Sequence, residues 1–450
     1  MQLTAVKIPP GHLADRFRGW CETYLTPDLK TGRILLAVSG GSDSLALLLL
    51  AEDWSKTRGL PLHVVTVDHG IRPEAADEAN YVKQICSKLG LPHDTLVLDL
   101  GDGGPVSQST ARRARYCAIS ELARRVGAKL ILTGHTLNDQ LETIFMRMTA
   151  GSDTWGLAGM ADLSPLPVWP DGEGLKLGRP LLTCDRDTLR AYLSELGLVW
   201  IDDPSNTQDR FERVRVRRLM AQRHRLQSAA LSVSQTAARI RAETVSRLQQ
   251  WAEAHIEWLV GGAASLDEAA LTELASAEQT RLMQTLCACV AGEERLLQAS
   301  QLELLLQSGA AELGATIGGC YLRREYGRIL VSAEPGRAAG ALTERLGQDW
   351  VWNGRIRLSG ENRTDRSPSV RNWGEAEIPA RLRELPLPEF AVRRVLPLVA
   401  DEKGQGFHVP HLEPDVGFRV SDLGPKRFLS LLEHRSEFFL SESRVEESFS

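Results

Sequence analysis

Six consecutive residues, Ser39-Gly-Gly-Ser-Asp-Ser44, put two glycines, three hydroxyls and one carboxylate in a single short stretch. They follow the apolar run Arg33–Val38 and precede the helical run Leu45–Leu50, so a strand delivers a Gly-Gly turn into a helix N-terminus. Such a turn gathers backbone N–H groups, serine hydroxyls and the positive end of the helix dipole around a phosphate chain. Gly40 and Gly41 matter because a residue without Cβ tolerates left-handed angles and close anion approach. The string is neither G-x-x-x-x-G-K-[ST] nor G-x-G-x-x-G. Asp43 is the odd member, since an acid near phosphates repels them unless a cation intervenes; it is a candidate magnesium-associated carboxylate, or else an ordinary first-turn acid favoured by the dipole.

A second stretch, Thr133-Gly-His-Thr-Leu-Asn-Asp-Gln-Leu-Glu-Thr143, follows another apolar run. With a helix beginning near Thr136, Asp139 and Glu142 are three apart and share one face with Asn138. Two carboxylates there could hold an ammonium group, bind magnesium or accept a proton from an attacking amine; spacing alone fits a solvated helix start equally well. Basic residues cluster twice. Arg112, Arg113 and Arg115 precede Tyr116 on a helical stretch, and Arg210, Arg213, Arg215, Arg217, Arg218, Arg223 and Arg225 with His224 are opposed only by Glu212. The net charge of −5 conceals this local phosphate-facing patch.

The elements that must position these residues alternate. Strand candidates at Arg33–Ser39, Leu62–His69, Asp94–Leu100 and Lys129–Gly134 are separated by helical segments near 44–58, 74–90 and 108–127. This order predicts an α/β fold with a doubly wound, mostly parallel sheet. Ligands in such sheets bind at the carboxyl ends of the strands, where Ser39, Asp68-His69 and His135 emerge.

Taken together, the S-G-G-S-D-S loop, Val67-Asp-His-Gly70, Ala111-Arg112 to Arg115-Tyr116, and Gly134-His135 to Thr143 form an ordered series. It continues through Gly156-Leu-Ala-Gly-Met160, Arg179-Pro-Leu-Leu182, Trp200-Ile-Asp-Asp-Pro-Ser-Asn206 and Phe211 with its arginines. The loop alone resembles the PP-loop of N-type ATP pyrophosphatases, and the whole series resembles bacterial tRNA(Ile)-lysidine synthetases. That resemblance implies adenylation by ATP of the wobble cytidine in a CAU-anticodon isoleucine tRNA, with release of pyrophosphate. The amino group of free lysine then displaces AMP, and the lysidine so formed changes codon reading from AUG to AUA. It further implies that Ser39, Gly40, Gly41, Ser42, Asp43, Ser44 and His135 surround ATP, with Asp43 toward magnesium. Asp139 and Glu142 would receive lysine, Arg112 and Arg115 would act on the α-phosphate or the anticodon, and Arg213, Arg215, Arg217 and Arg218 would meet tRNA. Thr136 and Asn138 stand where the family often has a second histidine and a further aspartate. Val214 departs from the usual R-N-x-[IL]-R, and Ser152-Asp153 from a glycine-rich turn.

A chain of 450 residues has room for two or three domains. The expected division is a catalytic domain over 1–225, a helical tRNA-binding or scaffold segment over 226–335 closed by a hairpin at Tyr321–Ser332, and a small α+β segment over 336–450. Seven cysteines without a C-x-x-C pair argue against zinc, an iron–sulfur cluster or disulfides. That absence counts against a PP-loop tRNA thiolase, and the arginine cluster against a small-molecule amide-forming ligase. Residues 1–10 lack a charged-then-apolar leader and no run reaches membrane-spanning length, so a cytoplasmic protein without membrane partners is expected. Oligomeric state, homodimer included, is not fixed by the sequence.

Overall fold

The computed structural model describes residues 12–29, 32–68, 70, 74–98, 107–202, 215–216, 224–294, 296–307, 314–335, 342–346, 349–360, 370–374, 377–400, 407–413 and 418–433. These form two compact units that divide between Ala242 and Glu243.

In the first unit, α1 (Leu13–Tyr24) leads into β1 (Arg33–Ala37), α2 (Ser42–Arg58), β2 (Leu62–Asp68), α3 (Glu74–Leu89) and β3 (His93–Val97). Then come α4 (Gln108–Arg125), β4 (Ala128–Thr133), α5 (Leu137–Thr149), α6 (Thr154–Leu157), β5 (Leu163–Pro165), β6 (Lys176–Gly178) and α7 (Arg186–Glu195). The sheet order is β3-β2-β1-β4-β6-β5. β1 pairs in parallel with β2 on one side and β4 on the other, and β5 alone runs antiparallel. Helices cover both faces, so the central strands read as apolar runs: Ile34, Leu35 and Leu36 are at most 1% exposed. Strand order reverses between β1 and β4, which opens a crevice beyond their carboxyl ends. The expected doubly wound sheet is therefore present, and both motif-bearing turns leave it at this crevice.

α2 begins where the loop ends because Asp43 sits in its first turn, at the positive end of the dipole. It ends at Gly59, whose left-handed backbone (φ 68°) lets its N–H reach Ser55 O. Leu45, Ala46, Leu47 and Leu48 are all buried, and they lock the helix against Val64, Leu130, Leu181 and Leu189. Each fully buried leucine contributes roughly 1.5–3 kcal/mol. The loop is thus carried on a helix anchored along its length in the core.

α8 (His224–His255) contains the division between the units. Its first turns pack Ala230 and Leu231 with Val216 against Leu141 and Ile144 of α5. In the second unit, helices 268–273, 276–291 and 299–307 accompany a five-stranded antiparallel sheet in which the expected hairpin, Cys320–Glu325 and Arg328–Ala333, supplies two strands. A four-stranded and a three-stranded sheet follow. Phe428 and Leu432, near the end of the described chain, share a core with Leu248, Met283 and Leu322, so the segments before and after 335 are packed together. Among the described residues no helix is long and apolar enough to cross a membrane.

Candidate active site

Three helix N-termini, those of α2, α5 and α7, are tied together by hydrogen bonds around two first-turn acids. In the loop, the Ser39 N–H donates to Ser44 Oγ (3.2 Å), the two hydroxyls lie 3.3 Å apart, and Ser44 Oγ donates to Gly41 O (3.0 Å). Gly40 has φ 87°, and a Cβ there would lie 2.9 Å from Ile201 Cδ1. Ile201 in turn donates its N–H to Gly40 O (3.0 Å). The Trp200-Ile201-Asp202 motif therefore buttresses the nucleotide-type loop, and Arg190 secures that motif by an ion pair to Asp202 (2.6 Å) and by stacking on Trp200.

Gly134, on leaving β4, approaches the same loop from the other strand. A Cβ at Gly134 would lie 2.9 Å from the backbone carbon and oxygen of Asp43, so only glycine lets the β4 exit pass the α2 N-terminus. His135 follows, with Nδ1 2.8 Å from Thr133 Oγ1. Burial, with Arg179, Arg112 and Arg115 nearby, pushes its pKa down to about 3. At neutral pH it is an uncharged hydrogen-bonding group.

Asp139 closes a capping box at the start of α5. Its Oδ2 accepts from the Thr136 N–H (2.9 Å) and from Thr136 Oγ1 (2.8 Å). Burial raises this carboxyl, but Arg186 and the Thr136 donors outweigh it and hold Asp139 below the usual carboxylate range. Glu142, one turn on, is 3% exposed. Asp43 behaves oppositely: burial raises it, despite Arg186 and the Ser42 hydroxyl 2.9 Å from Oδ1.

Arg186, which the sequence reading passed over, bridges these acids. Its Nε donates to Asp43 Oδ2 at 2.8 Å and its Nη2 reaches Asp139 Oδ1 at 3.5 Å. A signal was present in the sequence: a basic residue in the first turn of a helix opposes the dipole unless acids from elsewhere hold it there.

On α4, Arg112 and Arg115 flank the Tyr116 ring, with guanidinium carbons 5.1 and 5.6 Å from its centroid. Arg112 Nη2 also donates to the Tyr116 hydroxyl (3.4 Å). Burial raises the Tyr116 pKa, yet Arg112, Arg115 and Arg179 together bring it below the ordinary phenol value. Burial lowers the Arg115 pKa and takes Arg179 down to about 10, with the neighbouring Arg112 adding to both shifts. Arg179 itself is structural, donating to Ala161 O and Ser164 Oγ. Of the expected tRNA-facing residues, Arg215 is exposed beside buried Val216; Arg213, Arg217 and Arg218, like His69, Phe211 and Val214, lie outside the described residues.

The His135 environment has a measurable consequence. The unfolded chain takes up a proton near the ordinary value of 6.5, whereas the folded site resists until about 3. Stability from this residue is complete above 6.5 and is lost as pH falls through that window, because the unfolded state then binds more protons. The thermal midpoint of His135→Asn is expected to fall less steeply than that of the parent chain across this range; parallel curves would place His135 in contact with solvent.

The profile of the PP-loop domain family matches residues 16–224. A tRNA(Ile)-lysidine synthase from Hyphomonas neptunium is 39% identical over 314 residues, covering 69% of this chain and 84% of that protein. Another from Methylobacterium sp. (strain 4-46) is 36% identical over 350 residues, covering 75% and 98%. The chain belongs to the tRNA(Ile)-lysidine synthase family. Among solved structures, a U34-tRNA thiolase from Methanococcus maripaludis aligns over 51% of this chain and 80% of that one, at 18% identity and a TM-score of 0.42.

Within this family context the departures at Thr136, Asn138 and Ser152-Asp153 have structural explanations. Thr136 is fully buried as the N-cap of α5, where a hydroxyl serves the capping box. Asn138 Oδ1 accepts the Arg186 N–H at 2.9 Å, which an aspartate could also do, so the neutral side chain keeps that contact. Asp153 of the altered turn caps α6 through the Gly156 N–H (2.9 Å). Gln140 clamps Met160 through both of its backbone groups (2.8 and 2.9 Å), which gives the Gly156–Met160 motif its role in fixing α5.

Proposed function

We propose that this chain is an ATP-dependent ligase that adenylates the wobble cytidine of a CAU-anticodon isoleucine tRNA and transfers free lysine to it. The observation that carries this reading is the shared guanidinium: Asp43 of the PP-loop and Asp139 of the α5 acid pair both contact Arg186. Activation and amine capture then take place at adjoining groups.

In the first step the cytidine carbonyl oxygen attacks the α-phosphate of ATP and pyrophosphate leaves. The loop N–H groups and hydroxyls, with the α2 dipole, would hold the departing phosphates. The donors suit magnesium, being hard oxygens of Asp43 and the loop serines. Asp43 would hold that ion, which supplies charge neutralisation. Arg112 and Arg115, carrying positive charge into a buried region, would face the α-phosphate or the anticodon.

In the second step the lysine amine attacks the activated carbon, the carbon–oxygen bond breaks, and AMP leaves carrying the former cytidine oxygen. Asp139, held ionised, is suited to gripping the lysine ammonium more than to removing its proton. Glu142, one turn away on the same face, is the better candidate for the proton. Arg213, Arg215, Arg217 and Arg218 would contact tRNA phosphates; Val216, beside Arg215, packs against α5. A cytoplasmic location, where lysine, ATP and tRNA occur together, belongs to the same proposal.

Purified protein with ATP, magnesium, radiolabelled lysine and the CAU isoleucine tRNA transcript should yield acid-precipitable label. A transcript with uridine at the wobble position should yield none. Pyrophosphate release that needs no tRNA would point instead to a small-molecule ligase. For the arginine segment, a triple change of Arg215, Arg217 and Arg218 to alanine should weaken tRNA binding and flatten its log–log salt slope by about 2–3 if each contacts one phosphate. An unchanged slope in a filter-binding titration would remove this segment from the interface.

A further inference from the structure

The contacts of Arg186 go further than an ion pair. Its backbone N–H, one of the donors that a helix start leaves without an intrahelical partner, is taken by Asn138 Oδ1 (2.9 Å). Two residues back, Cys184 O accepts the Leu137 N–H (2.9 Å), so the starts of α5 and α7 are joined by a pair of hydrogen bonds. Thr188 and Asp185 complete the α7 cap independently of the Arg186 side chain. The guanidinium is then free to project from a fixed base across the crevice, where Nε takes Asp43 and Nη2 takes Asp139. Asp43, Asp139 and Glu142 all favour the charged form of Arg186 against the effect of its burial. A planar fork serves two carboxylates on different helices at once better than a lysine ammonium on a flexible stem does.

We propose that Arg186 is a positioning residue that holds Asp43 and Asp139 at one fixed separation, thereby linking the nucleotide loop to the lysine-receiving acids. The inference rests on the ligase reading above. Any shift of Asp43 when nucleotide fills the loop is passed through this guanidinium to Asp139, so lysine meets a correctly placed carboxylate once the loop is engaged. Arg186 itself touches neither nucleotide nor amine in this scheme.

A positioning role through Asp139 makes a specific demand. If Arg186 acts on transfer only by placing Asp139, then removing it from a chain already lacking the Asp139 charge should do no further harm. The full-length chain and its Arg186→Gln, Arg186→Lys, Asp139→Asn and Asp139→Asn/Arg186→Gln variants would be compared for thermal midpoint, ATP affinity, tRNA-dependent pyrophosphate release, and kcat and KM for lysine. Arg186→Gln should lower kcat/KM for lysine by about 10–100-fold, the scale of a misplaced catalytic group. ATP affinity should change far less, and Arg186→Lys should recover part of the loss. The double variant should match Asp139→Asn within about twofold, well inside the coupling expected of contacting residues. Additive losses, wild-type activity in Arg186→Gln, or a loss that follows a fall in thermal midpoint would overturn the proposal. If the parent chain releases pyrophosphate but incorporates no lysine, the lysine reading falls by itself, and Arg186 is judged by an Asp43→Asn/Arg186→Gln cycle on pyrophosphate release, where additivity again overturns it. A parent chain that does neither would fell both.

Discussion

Changing Asp43 to alanine should reduce tRNA-dependent pyrophosphate release by about 10²–10³-fold, the range associated with losing one preorganised charge partner at a reacting centre. The residue occupies the first turn of α2 with 16% of its side chain exposed, between the Ser42 hydroxyl and Arg186. Little of that surroundings depends on it for folding. α2 is held by its buried leucines, and Gly134 passes the backbone of Asp43, not its side chain. Alanine should therefore leave the loop's hydroxyls and N–H groups where they are while removing the carboxylate that would hold magnesium and anchor Arg186. ATP should still bind, with weaker dependence on magnesium, and a single-turnover assay of pyrophosphate release should reveal the defect. A variant that keeps more than about a tenth of the parent rate would reduce Asp43 to a helix-start acid, whose contribution through the dipole is only about 0.3–1 kcal/mol.

How much of this site could be read beforehand follows the distance along the chain over which each relation acts. The Ser39–Ser44 loop was legible because hydroxyls, glycines and acid are contiguous and because the strand before and helix after are strongly apolar. The convergence of Ser39 and His135 was legible because strand-helix alternation fixes which sheet edge a turn leaves from. The pairing of Arg186 with Asp43 joins residues 143 apart through one side chain, and no periodicity records it. Thr136 illustrates a different miss. It stands out in the sequence as a departure from a motif, although Thr136-x-x-Asp139 is itself the spacing of a capping box, and that spacing explains why one acid serves both as helix cap and as site residue. In the second unit the strands Ile256–Trp258, Ala264–Asp267 and Ala315–Ile317 are only three or four residues long. Alternation over so few positions is indistinguishable from helical spacing, so the region read as helices plus a hairpin, while the structure sets that hairpin in a five-stranded sheet.

The dual use of Asp139 makes its substitution the sharper test of how the two steps are separated. Asparagine at this position keeps a carbonyl oxygen that can accept the Thr136 N–H, so the start of α5 should persist; alanine would lose the cap as well, costing about 1 kcal/mol. What asparagine removes is the negative charge, and with it one of the two carboxylates on Arg186 and the proposed grip on the lysine ammonium. Pyrophosphate release, which depends on the loop and Asp43, should remain within several-fold of the parent. Lysine incorporation should fall by about 10²-fold or more, the scale of losing one partner of a buried charge pair. The adenylated tRNA should then accumulate or hydrolyse, and a rapid-quench time course following pyrophosphate and lysidine together would show the first product outrunning the second. Equal losses in the two products would mean that Asp139 serves the whole crevice through Arg186 and not the amine in particular. Restored coupling between the products on raising the lysine concentration would identify the defect as weakened capture of the ammonium, as expected for a carboxylate that the Thr136 donors and Arg186 keep ionised.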